Sequence, residues 1–314
     1  MASPRLTDNP WQVAPGPDGD PKAGRALVSA LMRTARPRQW IKNSLVLAAP
    51  FAASSLSNSN IWARTLTATV AFCAAASGTY FLNDAADADR DRLHPTKRLR
   101  PVAAGLISTR SARAVACALL FGGVIIASMV NVATAAVLLM YVLLTMSYTT
   151  WLKHIAVVDI VAVASGFLLR AIGGAVAAQV PVTGSFLLLT SFGALFLVVG
   201  KREGERLELG DGAVSHRPSL AAYGGAFTAQ LLSLALTATV LSYASWAFST
   251  DAGDPGIPWI ALSVVPFVLA MLRATQLVLA GAGADPEELF ARDRGIQLAV
   301  LATAVLLTLA LYFV

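Results

Sequence analysis

Four aspartates lie within residues 84–91, directly after a long, mostly apolar run at residues 66–82. Acidic side chains beside a bilayer are costly and are usually functional there. On a continuing helix, where successive residues turn by about 100°, Asp84, Asp87 and Asp91 fall within roughly 60° of one another, while Asp89 points elsewhere. Three carboxylates on one face repel each other unless a cation lies between them. Mg²⁺ carrying a diphosphate suits this arrangement, because Mg²⁺ binds through a few carboxylates together with substrate phosphates.

The acidic segment has two alternative interpretations. The first is an ordinary solvated helix end. The second is a calcium loop, in which Asp87, Asp89 and Asp91 would have the spacing of loop positions 1, 3 and 5. Arg92 then stands where that loop requires glycine, and Arg98 stands where it requires glutamate, so the calcium loop is disfavoured.

The composition indicates an all-α polytopic membrane protein. The chain has 314 residues, of which 56% are hydrophobic and 13% charged, with a mean hydropathy of +0.64. Residues 1–23 are polar and are expected to be disordered and cytosolic, without a signal peptide, and residues 24–314 are expected to form a single transmembrane domain. Cys73 and Cys117 lie in apolar runs, which argues against a disulfide framework or a zinc site. In a membrane protein, the net charge of +6 is no indication of nucleic-acid binding.

Apolar runs predict nine membrane spans, and the basic residues between them predict their orientation. Arginine and lysine concentrate before span one and in every second loop after it, whereas the opposite loops hold almost none. The N-terminus and the acidic segment are therefore expected on the cytoplasmic side of the plasma membrane and the C-terminus outside. The predicted spans are residues 42–57, 64–83, 111–130, 132–150, 155–177, 184–200, 226–248, 257–280 and 295–314.

Basic residues accompany the acidic segment on the predicted cytoplasmic side. Arg36, Lys42 and Asn43 open the first span and are candidates for binding a phosphate or lipid headgroup. Lys97 and Arg100 lie in a proline-bounded loop that could fold over a bound phosphate. The alternative is that these bases only set the topology or extend to the interface.

Span five carries an acid and a base eleven residues apart. Asp159 and Arg170 would share one helix face, about 16 Å apart along the axis, with small residues that allow close helix packing. Such intramembrane charges usually face a cavity, although a purely structural ion pair is the alternative. Tyr148 and Lys153 lie just before this span at its predicted cytoplasmic edge.

A second polar loop follows span six. Lys201 and Arg202 begin it, and Glu203 and Glu205 alternate with further bases. The loop would face the acidic segment from the opposite side of the cytoplasmic surface. An ordinary solvated helix end is the alternative interpretation.

These features together resemble the UbiA-type intramembrane prenyltransferase superfamily from Arg36 onward. The pattern N-D-x-x-D-x-x-x-D matches Asn83, Asp84, Asp87 and Asp91. The resemblance implies helices around a central cavity with a cytosolic cap, and Mg²⁺ with a diphosphate at the Asp-rich motif. It assigns Asn83 and the three aspartates to the metal and the aspartates to catalysis. The second Asp-rich motif of the superfamily is replaced here by the loop at Lys201, which indicates a substrate with an additional phosphate.

The strings R-P-R-Q-W-I-K-N and H-P-T-K-R-L-R-P look like the mycobacterial branch that transfers phosphoribosyl groups. That branch implies phosphoribosyl pyrophosphate (PRPP) as donor, decaprenyl or another polyprenyl phosphate as acceptor, and a product used for cell-wall arabinan. Its implied substrate-binding residues are the eleven candidates above: Arg36, Lys42, Asn43, Lys97, Arg100, Tyr148, Lys153, Asp159, Arg170, Lys201 and Arg202. Small-residue faces such as that at Gly122 allow a homo-oligomer, for example a trimer, without requiring one.

The sequence leaves two alternative functions open. An aromatic prenyltransferase of quinone or haem synthesis would use a prenyl diphosphate and would require the second Asp-rich motif. A transporter for an anionic solute would require inverted repeats and broken helices at the membrane midplane. The sequence shows no second Asp-rich motif and no convincing internal repeat, and its acids cluster at one membrane surface rather than at the midplane.

Overall fold

A computed structural model of the protein describes residues 21–209, 223–251, 257–281, 289 and 291–313. These residues form helices and turns, with no β-strand in the ranges described, so the all-α prediction is confirmed. Of the segment predicted to be disordered, residues 1–20 lie outside the described residues. The first helix begins at Pro21, three residues before the predicted domain boundary.

Twelve α-helices are named here in chain order. The first six are α1 (Pro21–Ala35), α2 (Ala48–Ala52), α3 (Ser59–Ala86), α4 (Ala88–Arg92), α5 (Thr109–Val130) and α6 (Val132–Thr150). The others are α7 (Val158–Ala178), α8 (Gly184–Leu209), α9 (Gly225–Asp251), α10 (Trp259–Leu262), α11 (Val264–Leu279) and α12 (Arg294–Tyr312). Three 3₁₀ helices join them at Pro37–Leu47, Lys97–Leu99 and Leu152–His154.

Eight helices in the described part of the chain are long and apolar enough to cross a membrane. They are α3, α5, α6, α7, α8, α9, the consecutive pair α10 and α11, and α12. They match the predicted spans two to nine, so a multi-pass membrane protein is confirmed. The predicted count of nine such helices is not confirmed, because the first predicted span, residues 42–57, is not one continuous α-helix.

That first segment is an eleven-residue 3₁₀ helix, Pro37–Leu47, followed by the five residues of α2. It runs beside α3 in the opposite direction: Trp40 Nε1 donates to Ser77 Oγ over 3.0 Å, and Asn43 Nδ2 lies 3.1 Å from Cys73 Sγ. A 3₁₀ helix rises about 2.0 Å per residue and an α-helix about 1.5 Å, so the segment reaches roughly 30 Å, the thickness of a bilayer core. The segment therefore has a tighter helical form than predicted.

Glycines on α7 let this segment approach closely. A Cβ on Gly174 would lie 1.7 Å from the carbonyl oxygen of Val46, and a Cβ on Gly173 would lie 2.5 Å from the ring of Phe72. No side chain fits at either distance, so α7 receives the 3₁₀ backbone on one side and an α3 aromatic ring on the other. The small-residue stripe predicted on this helix thus meets two neighbours at once.

The long helices alternate in direction, which places several polar helix ends at one end of the bundle. The last residues of α3, α6 and α8 and the first residues of α7 and α9 therefore all lie at the Asp84 end. Below them, Phe72, Leu138 and Val46 are fully buried between α3, α6 and α7. Ile160, Val199, Leu232 and Ile296 fill a second core between α7, α8, α9 and α12. These cores hold the polar ends in fixed relative positions.

Candidate functional site

The acidic segment does not continue as one straight helix. α3 ends at Ala86, and Asp87, with φ −94° and ψ 0°, links it to the short helix α4. The hydrogen bond from Asp91 N–H to the Asp87 carbonyl, 2.8 Å, keeps α4 attached, so the chain is kinked rather than broken. The expectation of one continuing helix through Asp91 is wrong at this point, and the three carboxylates do not share a single face.

Asp84 and Asp91 converge on one guanidinium. Arg100 Nη1 lies 2.8 Å from Asp91 Oδ2 and 3.4 Å from Asp84 Oδ1. The two carboxylate oxygens therefore lie no further apart than the sum of these distances, about 6.2 Å. Both side chains are almost fully buried, with relative exposures of 2% for Asp84 and 5% for Asp91.

Arg36 contacts the same oxygen of Asp84 as Arg100 does. Its Nη2 lies 2.7 Å from Asp84 Oδ1, and its guanidinium lies 4.7 Å above the ring of Tyr80. Arg36 has a left-handed backbone, with φ 53° and ψ 61°, in the link between α1 and the 3₁₀ helix. Few non-glycine residues adopt that conformation, and those that do cluster at functional sites. The chain thus turns sharply to bring this arginine to the buried carboxylate.

A cleft of about 250 Å³ opens over these groups. It is lined by Arg33, Arg36, Asp84, Thr96, Leu99, Arg100 and Pro101. Arg33 Nη2 donates to the carbonyl of Leu99 over 3.2 Å, which ties the proline-bounded loop to α1. The predicted basic loop therefore lies against the acidic segment, with Arg100 inside the cleft and Lys97 exposed at its edge.

The remaining acids of the segment point elsewhere. Asp87 is paired with Arg90 and is partly exposed, and Asp89 is paired with Arg92 at the surface, where its side chain is 93% exposed. Asn83 is half-buried on the last turns of α3. In the ranges that the structure describes, no three His, Cys, Asp or Glu side chains are close enough together to hold a metal. Asp84 lines the cleft, and Asp91 is joined to it through the guanidinium of Arg100.

Oxygen ligands of this kind still suit Mg²⁺. It is commonly bound by one or two carboxylates, with the rest of its coordination shell supplied by water and substrate phosphates. Arg100 demonstrates that one cationic group can contact both carboxylates at once. The residues present therefore fit a magnesium ion that arrives with a phosphorylated substrate.

A second polar cluster, here called the α6–α8 network, consists of Tyr148, Asp159, Arg202, Glu205 and Tyr223. Arg202 lies at its centre and is only 3% exposed. Its Nε donates to Asp159 over 3.2 Å, its Nη1 to Glu205 over 2.9 Å and its Nη2 to the Tyr148 hydroxyl over 3.2 Å. All three guanidinium nitrogens of Arg202 are thus engaged within the protein.

Tyr223 completes this network and was not predicted from the sequence. Its hydroxyl donates to Asp159 Oδ1 and accepts the N–H of Val157 over 2.6 Å. Burial, followed by the hydrogen bond to the Asp159 carboxylate, raises the pKa of the Tyr223 phenol to about 12. Tyr223 lies at the start of α9 in a stretch of Ala and Gly, so no local pattern marks it. Only the fold brings it to Asp159.

Asp159 and Arg170 are not paired with each other. Arg170 binds Asn43 Oδ1 at 2.8 Å, the Gly166 carbonyl at 2.9 Å and the Tyr141 hydroxyl at 2.7 Å. Asn43 is fully buried between Arg170 and Cys73. The structure therefore places Asn43 and Arg170 together in the interior and does not bring them to the cleft at Asp84.

The other predicted basic residues lie near the polar end of the bundle. Lys42 Nζ donates to Gln39 Oε1 over 2.5 Å, beside the 3₁₀ helix. Lys153 lies in the 3₁₀ turn before α7, and Lys201 lies next to Arg202 on α8, both half-buried. Arg33 and Tyr80 were missed, although Tyr80 precedes Asp84 by one helical turn and could have been found from that spacing.

Comparisons with known proteins support the fold described above and indicate the family. A model of the UbiA prenyltransferase family matches residues 44–301. A decaprenyl-phosphate phosphoribosyltransferase of Mycolicibacterium smegmatis is 39% identical over 94% of this chain and 97% of its own. The same-named protein of Corynebacterium glutamicum is 39% identical over 98% of this chain and 94% of its own. That of Mycobacterium tuberculosis H37Rv is 40% identical over 88% of this chain and 92% of its own.

Solved structures share the fold at low sequence identity. A UbiA homolog from Archaeoglobus fulgidus bound to GPP and Mg²⁺ has a TM-score of 0.67 and 17% identity, covering 91% of this chain and all of that one. A digeranylgeranylglyceryl phosphate synthase has a TM-score of 0.66 and 13% identity, covering 92% of this chain and 99% of that one.

Proposed function

Since this chain belongs to the UbiA prenyltransferase family, we propose that it transfers the 5-phosphoribosyl group of PRPP to decaprenyl phosphate, releasing pyrophosphate. The product would be decaprenylphosphoryl-5-phosphoribose, a precursor for cell-wall arabinan. The relatives that are 39–40% identical over 88–98% of the chain carry this activity in their names. A long polyprenyl chain is a fitting substrate for a multi-pass membrane protein.

The observation that carries the proposal is the cleft shared by two acids and two arginines. Asp84 and Asp91 are buried carboxylates, and Arg36 and Arg100 contact them at 2.7–3.4 Å. Carboxylates alone would repel a diphosphate, and arginines alone would not hold a divalent cation. The combination suits a diphosphate that brings its own Mg²⁺, as PRPP does.

Asp84 and Asp91 would hold Mg²⁺ at this cleft, with Asn83 as a further oxygen donor on the same segment. Asp87 would join them only on leaving its partner Arg90. The bound ion would neutralise charge on the pyrophosphate leaving group and orient it. Arg36 and Arg100 would bind the diphosphate oxygens, and Lys97 would add charge at the cleft edge. We assign the ribose 5-phosphate to Lys153, Lys201 and the hydroxyl of Tyr148, which lie toward the ends of α6 and α8 and in the turn before α7.

The transfer itself needs no general base, because the acceptor phosphate is already an anion. Lys42, with Arg36, would draw that phosphate to the 3₁₀ helix while the polyprenyl chain stays in lipid. A phosphate oxygen forms a bond to C1 of the ribose as the bond from C1 to the pyrophosphate oxygen breaks, and the electron pair leaves with pyrophosphate. In-line attack inverts C1 from α to β. The protein contributes chiefly by positioning and electrostatics.

We further infer that the active site and the N-terminus face the cytoplasm, where PRPP is available, and that the C-terminus lies outside the plasma membrane. The concentration of basic residues at the Asp84 end supports this orientation. A crossing by the 3₁₀ segment, in addition to the eight long helices, would make the number of crossings odd.

A radiolabel transfer assay tests the proposal. Purified protein in detergent receives Mg²⁺, PRPP labelled in the ribose and decaprenyl phosphate, with and without EDTA. We expect label in the organic phase only when Mg²⁺ is available. Absence of that transfer, together with transfer of a labelled prenyl diphosphate to an aromatic acid, would replace the proposal by the aromatic prenyltransferase function.

A further inference from the structure

The turn between the 3₁₀ helix Leu152–His154 and α7 has a strained backbone. Val157 adopts φ 68° and ψ −46° immediately before the first residue of α7. A β-branched residue at positive φ is a genuine outlier, because its Cβ crowds the neighbouring carbonyl. The Val157 side chain is 50% exposed, so burial of the valine does not hold the turn. Another group must stabilise this conformation.

Tyr223 is that group. Its hydroxyl accepts the Val157 N–H over 2.6 Å and donates to the carboxylate of Asp159, two residues further on. One phenol thus binds the strained residue and the first turn of α7 together. Tyr223 is itself 4% exposed and stacks on Phe227 with ring centroids 5.8 Å apart. It is therefore a rigid anchor provided by α9, 66 residues along the chain from Val157.

Two side chains assigned to the 5-phosphate depend on this anchor. Lys153 lies in the short turn that ends at Val157. Tyr148 is held through a chain of contacts, because Tyr223 fixes Asp159, Asp159 accepts from Arg202, and Arg202 donates to the Tyr148 hydroxyl over 3.2 Å. With its oxygen engaged as an acceptor, Tyr148 can direct its own O–H outward as a donor.

We propose that Tyr223 is a positioning residue that holds the Val157 turn and the α6–α8 network in the geometry that binds the 5-phosphate end of PRPP. This inference rests on the proposed function, since it specifies how one substrate of that reaction is bound. Tyr223 itself contacts no substrate. Its effect should therefore fall on the binding of PRPP rather than on that of the acceptor lipid.

Replacement of Tyr223 by phenylalanine tests the proposal, because the ring and its stacking are kept while both hydrogen bonds are lost. The expected result is an increase of about tenfold in KM for PRPP, with kcat and the KM for decaprenyl phosphate changed less than about threefold. Tyr243→Phe is the matched control. Tyr243 is a buried tyrosine within α9, the helix that follows Tyr223, and its hydroxyl bonds Ser263 over 2.5 Å, away from the network.

Rescue distinguishes positioning from general stability. Val157→Gly removes the strain at positive φ, so the Tyr223→Phe/Val157→Gly double variant should recover most of the lost PRPP affinity. Hydrogen exchange gives a readout independent of activity. Amides of residues 152–160 should exchange faster in Tyr223→Phe than in the wild type, and at the wild-type rate in Tyr243→Phe.

Three outcomes would overturn the proposal: an unchanged KM for PRPP in Tyr223→Phe, unchanged exchange in residues 152–160, or equal losses in Tyr223→Phe and Tyr243→Phe. The proposed function fails separately, if the wild-type protein transfers no phosphoribosyl group in the assay above. In that event the exchange comparison still reports whether Tyr223 holds the turn, but a role for the turn in PRPP binding is refuted.

Discussion

Asp84 and Asp91 meet at one nitrogen atom: Arg100 Nη1 lies 3.4 Å from the first carboxylate and 2.8 Å from the second. The two acids come from different helices, α3 and α4, and the kink at Asp87 turns the second toward the first. Asp89, between them in sequence, stays at the surface. The segment therefore contains two buried acids, Asp84 and Asp91, and an exposed acid, Asp89. Substitution of Asp89 can serve as the control for substitution of the buried pair.

Asp84→Asn and Asp91→Asn should each reduce phosphoribosyl transfer by at least about a hundredfold, because each removes charge from the proposed metal site. Asp89→Asn should change the rate less than about twofold, since this acid pairs only with the exposed Arg92. Initial rates of all three variants should be measured across a Mg²⁺ titration, with thermal unfolding as a check on folding. Full activity in Asp84→Asn would remove the metal role.

Arg100→Gln should raise KM for PRPP by about tenfold, because the guanidinium that reaches both acids is assigned to the diphosphate. Arg98→Gln is the control, being a fully exposed arginine of the same loop. Steady-state kinetics over a range of PRPP concentrations compares the two. If both variants have the same KM, the loop provides only general positive charge.

Arg170 should be required for stability rather than for binding PRPP. On α7 it lies eleven residues beyond Asp159, about 16 Å deeper in the bundle, and Asn43, Gly166 and Tyr141 satisfy its nitrogens. Arg170→Met should cost about 1–3 kcal/mol of unfolding free energy by leaving buried groups unpaired. The KM for PRPP should stay within about twofold.

Arg64→Met provides the comparison for Arg170. Arg64 is a half-buried arginine that donates to the exposed Gln179 over 2.8 Å, so the loss of this surface hydrogen bond should leave the unfolding temperature nearly unchanged. Thermal unfolding in detergent and PRPP kinetics, measured on both variants, distinguish a role in stability from a role in PRPP binding. A large increase in KM for PRPP in Arg170→Met without loss of stability would assign Arg170 to the substrate instead.

Gly174→Ala should prevent the 3₁₀ segment from packing on α7, because the added Cβ would lie 1.7 Å from the Val46 carbonyl. A loss of at least about 3 kcal/mol, or failure to fold, is expected from such an overpacked contact. Gly122→Ala adds the same methyl group where no atom lies within 4 Å and should be neutral or slightly stabilising. Yield and thermal unfolding temperature in detergent provide the comparison.

The raised pKa of Tyr223 predicts a dependence of stability on alkaline pH. An unfolded tyrosine loses its proton near pH 10, whereas Tyr223 in the folded protein keeps it to about pH 12. Its contribution to stability is therefore complete below pH 10 and is lost as the pH rises from 10 to 12. The difference in unfolding temperature between wild type and Tyr223→Phe should be constant from pH 7 to 9.5 and shrink at pH 11.

Much of the fold could be predicted because long apolar runs between charged loops leave few alternatives in a membrane. Eight predicted spans correspond to helices for that reason. The helical form of the first predicted span could not be predicted, because an apolar run does not distinguish a 3₁₀ helix from an α-helix. Its buried positions, Asn43, Val46 and Ala49, repeat every three residues. The kink at Asp87 likewise carries no sequence signal, since aspartate is common both within helices and at their ends.

The partners of the buried charges could not be predicted, because they depend on contacts between distant helices. Asp159 meets Arg202 from 43 positions away, and Arg170 meets Asn43 from 127 positions away. Spacing along α7 predicted only that Asp159 and Arg170 share one helix face, with a cavity or structural ion pairing as the two explanations. Residue types correctly indicated charges in the interior, but the choice of partner was set by tertiary packing.

The 3₁₀ segment keeps its buried row of side chains only if its length changes in steps of three residues. A single inserted residue would rotate everything beyond it by about 120° and advance it by about 2 Å, which would turn Asn43 and Val46 outward and bring Lys42 and Leu45 inward. Insertion of three residues would restore the inner row but add about 6 Å, one fifth of the bilayer core. The length of the segment between Arg36 and Phe51, whose carbonyl accepts a hydrogen bond from Tyr312, can therefore be adjusted only in steps of about 6 Å if its buried row is to be kept.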